Sequence, residues 1–399
     1  MKSRSALWSW AFDDFANTVF SAVVVTFYFP LYLTALAPRN LPLGLTTTVS
    51  MILAGLAVPW LGALSDRTGK TKRYLIVTTL LCVAATLALS FLSGLALLIG
   101  LFLVASFFFH ASLVFYHALL PVVADPERQG AASGLGTGLG YLGVLFSVPI
   151  AHFVDGFFGR RFVFGAAAVF FLLFSLPLFL GVPERKVEAP RPASLGLSME
   201  EWRKVFRTLT SLRENRSLLF FFAGNFFVME AMNTVIFWLI VYLTRVFNPP
   251  ENHLVAIFLG LNFTAGLFGF LAGFLTDRVG SRRMMVLAAA SLFVTILALA
   301  LTTSFWVFAG VGLTGGSFGF AAVWTAARKR VLELAPSGAV GEHFGLYNLT
   351  TKISVTGSLI FSLLADHVGF HAALLSQALP AGIGLLLLSL PSPSQSSKI

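Results

Sequence analysis

Cysteine is nearly absent from this chain. Cys82 stands alone, which excludes an intramolecular disulfide and any multi-cysteine metal site. Charge is scarce too: Asp, Glu, Lys and Arg make up 11% of the residues, where soluble domains carry roughly a quarter, so water is not the main solvent. Polar stretches of any length are missing except residues 183–216, which leaves no room for a soluble domain. No G-x-S-x-G, H-E-x-x-H or phosphate-binding loop occurs, so the chain is not expected to be an enzyme. No spacing of histidines and carboxylates makes a credible metal site, and no cofactor is expected. No charged n-region with a small-residue cleavage site precedes the first apolar run, which is therefore expected to stay as the first span.

What the chain has instead is a succession of apolar runs, with a mean hydropathy of +0.85. A bilayer core about 30 Å thick needs about 20 apolar residues per helix. Runs of that kind predict twelve helices near 8–36, 42–65, 74–92, 95–121, 131–157, 161–182, 217–244, 254–276, 284–302, 304–332, 341–366 and 370–390. The expected fold class is an all-α membrane protein, with six spans on each side of the polar segment. Residues 1–182 then form an N-terminal bundle, 183–216 a cytoplasmic linker, 217–391 a C-terminal bundle and 392–399 a cytoplasmic tail. Within the linker, Ser198 to Glu201 reads as a capping box. Met199, Trp202, Val205, Phe206, Leu209 and Leu212 follow at helical spacing beside basic residues, which predicts a short amphipathic helix on the membrane surface or under the bundles.

The net charge of +10 does not point to nucleic acid, because the basic residues sit in short loops where they set topology. With the N-terminus inside, 22 of the 27 Lys and Arg residues fall on the cytoplasmic side. Arg39, Arg160, Arg161 and Arg245 fall outside, and Lys352 falls within a span. Both termini are thus expected in the cytoplasm.

The chain also repeats itself. Shifted by 211 residues, Ala54 to Gly69 falls on Ala265 to Gly280 with eight of sixteen positions identical, and Gly130, Gly134 and Leu135 fall on Gly341, Gly345 and Leu346. Two anchors at one offset mean a tandem duplication with parallel halves related by a pseudo-twofold axis. A third echo sets Asp14 to Val19 against Glu230 to Val235, at an offset of 216.

The loop after the second helix reads GALSDRTGKTKR from Gly62, and the loop after the eighth reads GFLTDRVGSRR from Gly273. Both resemble the major facilitator signature Gly-x-x-x-Asp-Arg-x-Gly-Arg-Arg. Asp66, Arg67, Asp277 and Arg278 then stand where a helix meets water, as contacts of a cytoplasmic gate or as fixed loop staples. Further stretches, from Phe12 to Asn17, from His117 to Gly143 and from Phe344 to Lys352, resemble the subfamily of fungal vacuolar, autophagy-related amino-acid effluxers and their bacterial relatives. That subfamily usually carries Tyr-Asp-Trp-Ala-Asn in helix 1, so Asp14 and Asn17 match while Asp13 and Phe15 depart from it. Glu230 stands where helix 7 usually has Asp. Arg328 and Lys352 match basic residues of the subfamily.

Ionisable residues within spans are the sharpest pointers, because a charge at the bilayer centre costs about 3 kcal/mol or more and must face a cavity or a partner. Glu230, thirteen residues after the predicted start of helix 7, is the first candidate to carry a coupling proton or Na+; a fixed ion pair with Lys352 or Arg328 is the alternative. Asp14 is the second candidate, and Asp13 fits a helix-end or gate role. Asn17, Asn225, Asn233 and Asn348 would orient polar parts of a solute, with Lys352 and Arg328 meeting an anionic group. His117, at the repeat position of Arg328, would line the path or serve packing. Gly138, Gly140 and Gly143 fit G-x-G-x-x-G, but no strand precedes them. In an apolar helix, Gly134 with Gly138 and Gly136 with Gly140 instead permit close helix contact. The 42 phenylalanines are read chiefly as packing and lipid-facing groups.

Together these features predict a secondary transporter working by alternating access, probed first with amino acids or similar zwitterions and second with lysolipids or sugars. A membrane sensor or scaffold without turnover is the reading from another class. The expected setting is a prokaryotic plasma membrane, with a monomer surrounded by membrane lipids and a small-molecule substrate as partner.

Overall fold

A computed structural model describes residues 4–125, 129–184, 215–334 and 340–391, together with Met199, Trp202, Arg203, Thr210 and Leu212. Most of the predicted linker helix lies outside the described residues. The apolar runs all form helices: α1 (Arg4–Leu36), α2 (Leu41–Thr68), α3 (Thr71–Phe91), α4 (Leu95–Val123), α5 (Gln129–Phe158) and α6 (Arg160–Gly181). After the polar segment come α7 (Arg216–Phe247), α8 (Glu251–Val279), α9 (Ser281–Leu301), α10 (Phe305–Leu334), α11 (Val340–Ile353, a 3₁₀ turn Ser354–Thr356, then Gly357–His367) and α12 (Phe370–Ser389). Among the described residues, 11 helices are long and apolar enough to cross a membrane. The exception is α11, which carries Glu342, His343 and Lys352 and is broken by the 3₁₀ turn. The twelve expected helices are present, and the protein is an integral membrane protein. Leu180, Phe270 and Leu301 are 83%, 82% and 74% exposed, an arrangement that suits contact with lipid and would be costly in water.

Local chemistry sets the helix ends. Asn215 caps α7, its side-chain oxygen accepting from the backbone N–H groups of Ser217 at 3.1 Å and Leu218 at 3.2 Å, which satisfies two otherwise orphaned donors. Gly69 and Gly280, equivalent positions of the repeat, both take positive φ, 65° and 91°; a side chain is strained there, so the tight turn after Asp-Arg-x needs glycine in both halves. Within α1, Val19–Tyr28 is π-helical. Pro30 follows two residues later and has no N–H to donate, and Phe29 N–H reaches back to Val24. A second π-helical stretch, Gly312–Gly316, lies in α10. Such widened turns are rare and are found frequently at functional sites.

The chain forms two compact units. One comprises α1 to α6 together with residues Pro250–Asn262; the other comprises α7 as far as Pro249 and everything from Phe263 through α12. In the first unit, Trp10, Leu61, Leu75, Phe115, Tyr116 and Leu178 make one buried cluster. Phe29 stacks on Phe102 at 3.7 Å between ring centroids. In the second unit, Phe221, Met229, Met232, Met284, Leu292, Val323 and Tyr347 build the core.

Glycine sets the closest helix contacts. A methyl group on Gly140 of α5 would stand 2.9 Å from Thr18 Oγ1, and one on Gly143 would stand 2.9 Å from the Phe15 carbonyl, whereas one on Gly138 meets nothing within 4 Å. Of the two expected pairs, Gly136 and Gly140 pack on α1 and Gly143 extends the seam; the side-chain side of Gly134 lies outside the described residues. Gly143→Ala should therefore lower stability by about 1–3 kcal/mol through overpacking against backbone. Gly138→Ala should hold or raise it, since alanine is about 0.5–1 kcal/mol better than glycine within a helix. Thermal unfolding of the detergent-solubilised variants reads the difference, and equal melting of the two would contradict the seam.

Candidate functional site

Glu230 lies near the middle of the 32-residue α7. Its Oε1 sits against Gly357, where a methyl group would come within 2.7 Å of it and within 2.9 Å of Thr234 Oγ1. Gly357 opens the second segment of α11, immediately after the 3₁₀ turn. Asn233, one turn along α7, reaches the same break: its Nδ2 donates to the Thr351 carbonyl at 3.2 Å and to Ser354 Oγ at 3.0 Å. Two turns beyond Glu230, Trp238 Nε1 donates to Ser358 Oγ at 2.8 Å. Residues 230, 233, 234 and 238 share one helical face, so α7 turns its polar stripe onto the interruption in α11. The freed backbone of the break is satisfied by a neighbouring side chain, as a bilayer requires.

Glu230 makes no ion pair and no hydrogen bond with any described residue, although part of its side chain remains accessible. The expected alternative partners do not take it. Lys352 is half-buried near the end of the first α11 segment, and Arg328 is exposed on α10, close enough to Tyr347 to act on it electrostatically. Five residues before Glu230, Asn225 is completely buried, and neither amide atom has a hydrogen-bond partner among the described residues. The side chain of Asn348 lies outside the described residues.

The first unit places its acidic residues in a comparable way. Asp14 of α1 faces α5 at Gly136, where a methyl group would stand 3.2 Å from Asp14 Oδ2 and 3.1 Å from the Tyr116 hydroxyl. Tyr116 is held firmly: its ring stacks on Trp10 at 4.5 Å with a 4° interplanar angle, and its carbonyl accepts from Trp10 Nε1 at 3.0 Å. Its hydroxyl is buried and has no hydrogen-bond partner among the described residues. Asp13 occupies the inside of the bundle, 2% exposed, accepting from Asn17 Nδ2 at 3.3 Å with Ser175 of α6 beside it. The structure thus sets Asp13 and Asn17 together among buried groups, away from the helix end expected for Asp13. The reason is the helical spacing that turns residues 13 and 17 toward α6 while 14 turns toward α5. His117 is exposed next to the buried Tyr116.

At the signature loops, the side chains of Asp66 and Arg67 lie outside the described residues. Asp277 is exposed and pairs with Lys329 of α10 at 2.5 Å, and Arg278 lies over the Phe274 ring at 4.1 Å.

Sequence reasoning did not single out a further cluster within the first unit. Arg160 at the start of α6 pairs with Asp155 of α5 and with Glu251 of α8, each at 3.2 Å. The Tyr28 hydroxyl is buried nearby without a hydrogen-bond partner among the described residues. The Gly-Arg and Pro-Pro-Glu junctions mark Arg160 and Glu251 as helix starts, but nothing local in sequence says that they meet. Gly357 and the Ser354–Thr356 turn were likewise missed; the only signal was a run of Ser, Val, Thr and Gly inside an apolar helix, which weakens helix preference.

With this geometry in place, comparison with known proteins gives the class. A family model for the Major Facilitator Superfamily matches residues 14–353 and 251–399, and the chain belongs to that superfamily. It is 25% identical to the uncharacterized MFS-type transporter YxiO of Bacillus subtilis, across 96% of this chain and 93% of that protein. It is 23% identical to the multidrug resistance protein MdtG of Proteus mirabilis, across 86% and 85% of the two chains. A shorter likeness, 27% identity over 43% of this chain and 42% of the relative, links it to a Na(+), Li(+), K(+)/H(+) antiporter of Planococcus maritimus. Among solved structures, a bacterial homolog of the human lysosomal transporter Spinster superposes with a TM-score of 0.72 over 98% of both chains at 13% identity, a likeness of fold. The protein is a secondary transporter and not an enzyme.

A carboxylate without a cation also has no pair to break. Glu230→Gln should change thermal stability by less than about 1 kcal/mol, whereas removing one partner of a buried ion pair costs about 3–5 kcal/mol. A loss of the second size on thermal unfolding would show that Glu230 is a structural counter-ion.

Proposed function

We propose that this transporter moves a small organic solute by alternating access, coupled to a proton through Glu230, with Asp14 as the second acidic participant. The observation that carries the reading is the Glu230 carboxyl group held against Gly357 at the break in α11 with no cation among the described residues paired to it. Holding a carboxyl group inside a span is expensive, and one with no structural partner is best explained by work that needs it to gain and lose charge. Asn233 ties α7 to the break, so a change of charge on Glu230 acts where α11 is weakest. Lys352, on the same helix before the break, offers a positive group to a carboxylate. Amino acids and similar zwitterions are accordingly the first solutes to try.

Amphiphilic or drug-like solutes are the second reading, favoured by the match to MdtG over most of the chain. The distribution of basic residues supports a plasma-membrane orientation with both termini and the 183–216 linker in the cytoplasm. In that orientation the Asp66 and Asp277 loops serve the cytoplasmic gate, and the Arg160 cluster lies at the outer ends of α5, α6 and α8. The transporter is taken to act as a monomer.

The test uses purified protein in proteoliposomes, a labelled amino-acid mixture and an imposed pH gradient. Wild type should accumulate solute only with the gradient. Glu230→Gln should lower that accumulation at least about tenfold, equivalent to about 1.4 kcal/mol, while counterflow exchange without a gradient continues. Gradient-driven accumulation that survives Glu230→Gln would overturn the coupling assignment. Inert amino acids alongside gradient-driven extrusion of an amphiphilic dye would replace the first solute class with the second.

A further inference from the structure

Asp13 is a further carboxyl group within a span, and the first unit encloses it more tightly than the second encloses Glu230. It is 2% exposed, with Asn17 and Ser175 equally covered, so bulk water does not reach it. The seam between α1 and α6 closes over it. Phe15 packs on Phe174 at 4.5 Å between ring centroids and Phe20 on Phe171 at 5.9 Å, and Phe171 and Leu178 are fully buried. Among the described residues no basic side chain pairs with Asp13. The charged group that does act on it is Asp14, of like sign.

Oxygen atoms in this seam are left idle. Asp13 Oδ2 accepts from Asn17 Nδ2 at 3.3 Å, but Oδ1 has no hydrogen-bond partner among the described residues. The Ser175 hydroxyl stands close enough to act on the carboxylate, yet it makes no hydrogen bond of normal geometry with any described residue. Serines elsewhere in these helices turn back onto their own backbone, Ser112 onto the Phe109 carbonyl and Ser362 onto the Leu359 carbonyl, each at 2.7 Å. Ser175 does not. Two residues on, Pro177 has no N–H, so the α6 ladder sends no donor from there to the Leu173 carbonyl. Turned through half a rotation, the Asn17 amide presents its oxygen to the carboxylate.

The set is oxygen-only and carries one negative charge. Carboxylate, hydroxyl and carbonyl oxygens suit hard cations. No group of three His, Cys, Asp or Glu side chains able to hold a metal occurs among the described residues, so a cation of higher charge is not matched. A bridging water would satisfy the idle oxygens but leave the carboxylate without a counter-ion inside the bilayer. A monovalent cation does both.

We propose that Asp13, Ser175 and Asn17 bind one Na+ between α1 and α6, with Asp13 Oδ1 and Ser175 Oγ as its principal ligands. The site is separate from the proton coupling assigned to Glu230, which belongs to the other unit. Bound there, the ion ties α1 to α6 immediately before the π-helical stretch that starts at Val19.

The experiment follows thermal unfolding of the full-length, detergent-solubilised protein at a fixed alkaline pH while choline chloride is replaced by NaCl or KCl at constant ionic strength. An ion that binds only the folded state raises the melting temperature with its concentration. Wild type should show a saturable rise with Na+ and none with K+, and Glu230→Gln should respond as wild type does. Asp13→Asn should abolish the Na+ response. Ser175→Ala should raise the half-saturating Na+ concentration about tenfold or more, as loss even of an outer partner of a bound metal does. If Asp13→Asn does not fold, the Ser175→Ala titration decides. An equal rise with K+, or a Na+ response unchanged in the seam variants, would overturn the proposal in favour of a general salt effect. No Na+ response in wild type would overturn it in favour of a proton or a water on Asp13.

Discussion

A carboxyl group inside a membrane span with no cation beside it is the constraint from which the rest of the account follows. Hydrocarbon penalises a lone charge by several kcal/mol, and a protein ordinarily answers with an ion pair or a ring of donors. At Glu230 the structure answers with neither. The side chain is pressed against Gly357 beside the buried Thr234 hydroxyl, which has no hydrogen-bond partner among the described residues, while Asn233 is spent on the Thr351 carbonyl and Ser354 and Trp238 on Ser358. Because these bonds fasten α7 to α11 on both sides of the 3₁₀ turn, the carboxyl group sits where helix geometry is already interrupted and where a small shift costs least.

Close approach makes the arrangement possible. Only a residue without a side chain leaves room for a carboxylate between two helices, and each unit uses one: Gly357 for Glu230 and Gly136 for Asp14. In the first unit the neighbouring polar group is the Tyr116 hydroxyl, on a ring fixed by stacking against Trp10. Asp13, by contrast, is buried on the α6 side with Asn17. Two adjacent acidic residues on α1 thus have separate surroundings because successive helical positions point about 100° apart.

The span pattern was readable from sequence because length and apolarity are local properties. Every predicted helix is present with ends within about four residues, inside the usual uncertainty for such boundaries. The equivalence of Gly69 and Gly280 followed from the repeat, and the structure adds the positive φ that both adopt. Glu230 stood out for a similar reason, as an acid amid apolar residues. What surrounds it did not, since the register of α7 against α11 depends on residues more than a hundred positions apart. The meeting of Arg160 with Asp155 and Glu251 was hidden in the same way. Asn225 is a further case: the fold buries it completely, and sequence spacing alone could not reveal which face packing would cover.

The account turns on the accessibility and lack of a partner at one carboxyl group. Dicyclohexylcarbodiimide, an apolar reagent that attacks protonated carboxyl groups within membranes, reads this directly when its adducts are mapped by peptide mass spectrometry. Labelling concentrated on Glu230 and absent from Glu230→Gln is the predicted result. Labelling that spares Glu230 while modifying other membrane carboxyl groups would contradict it.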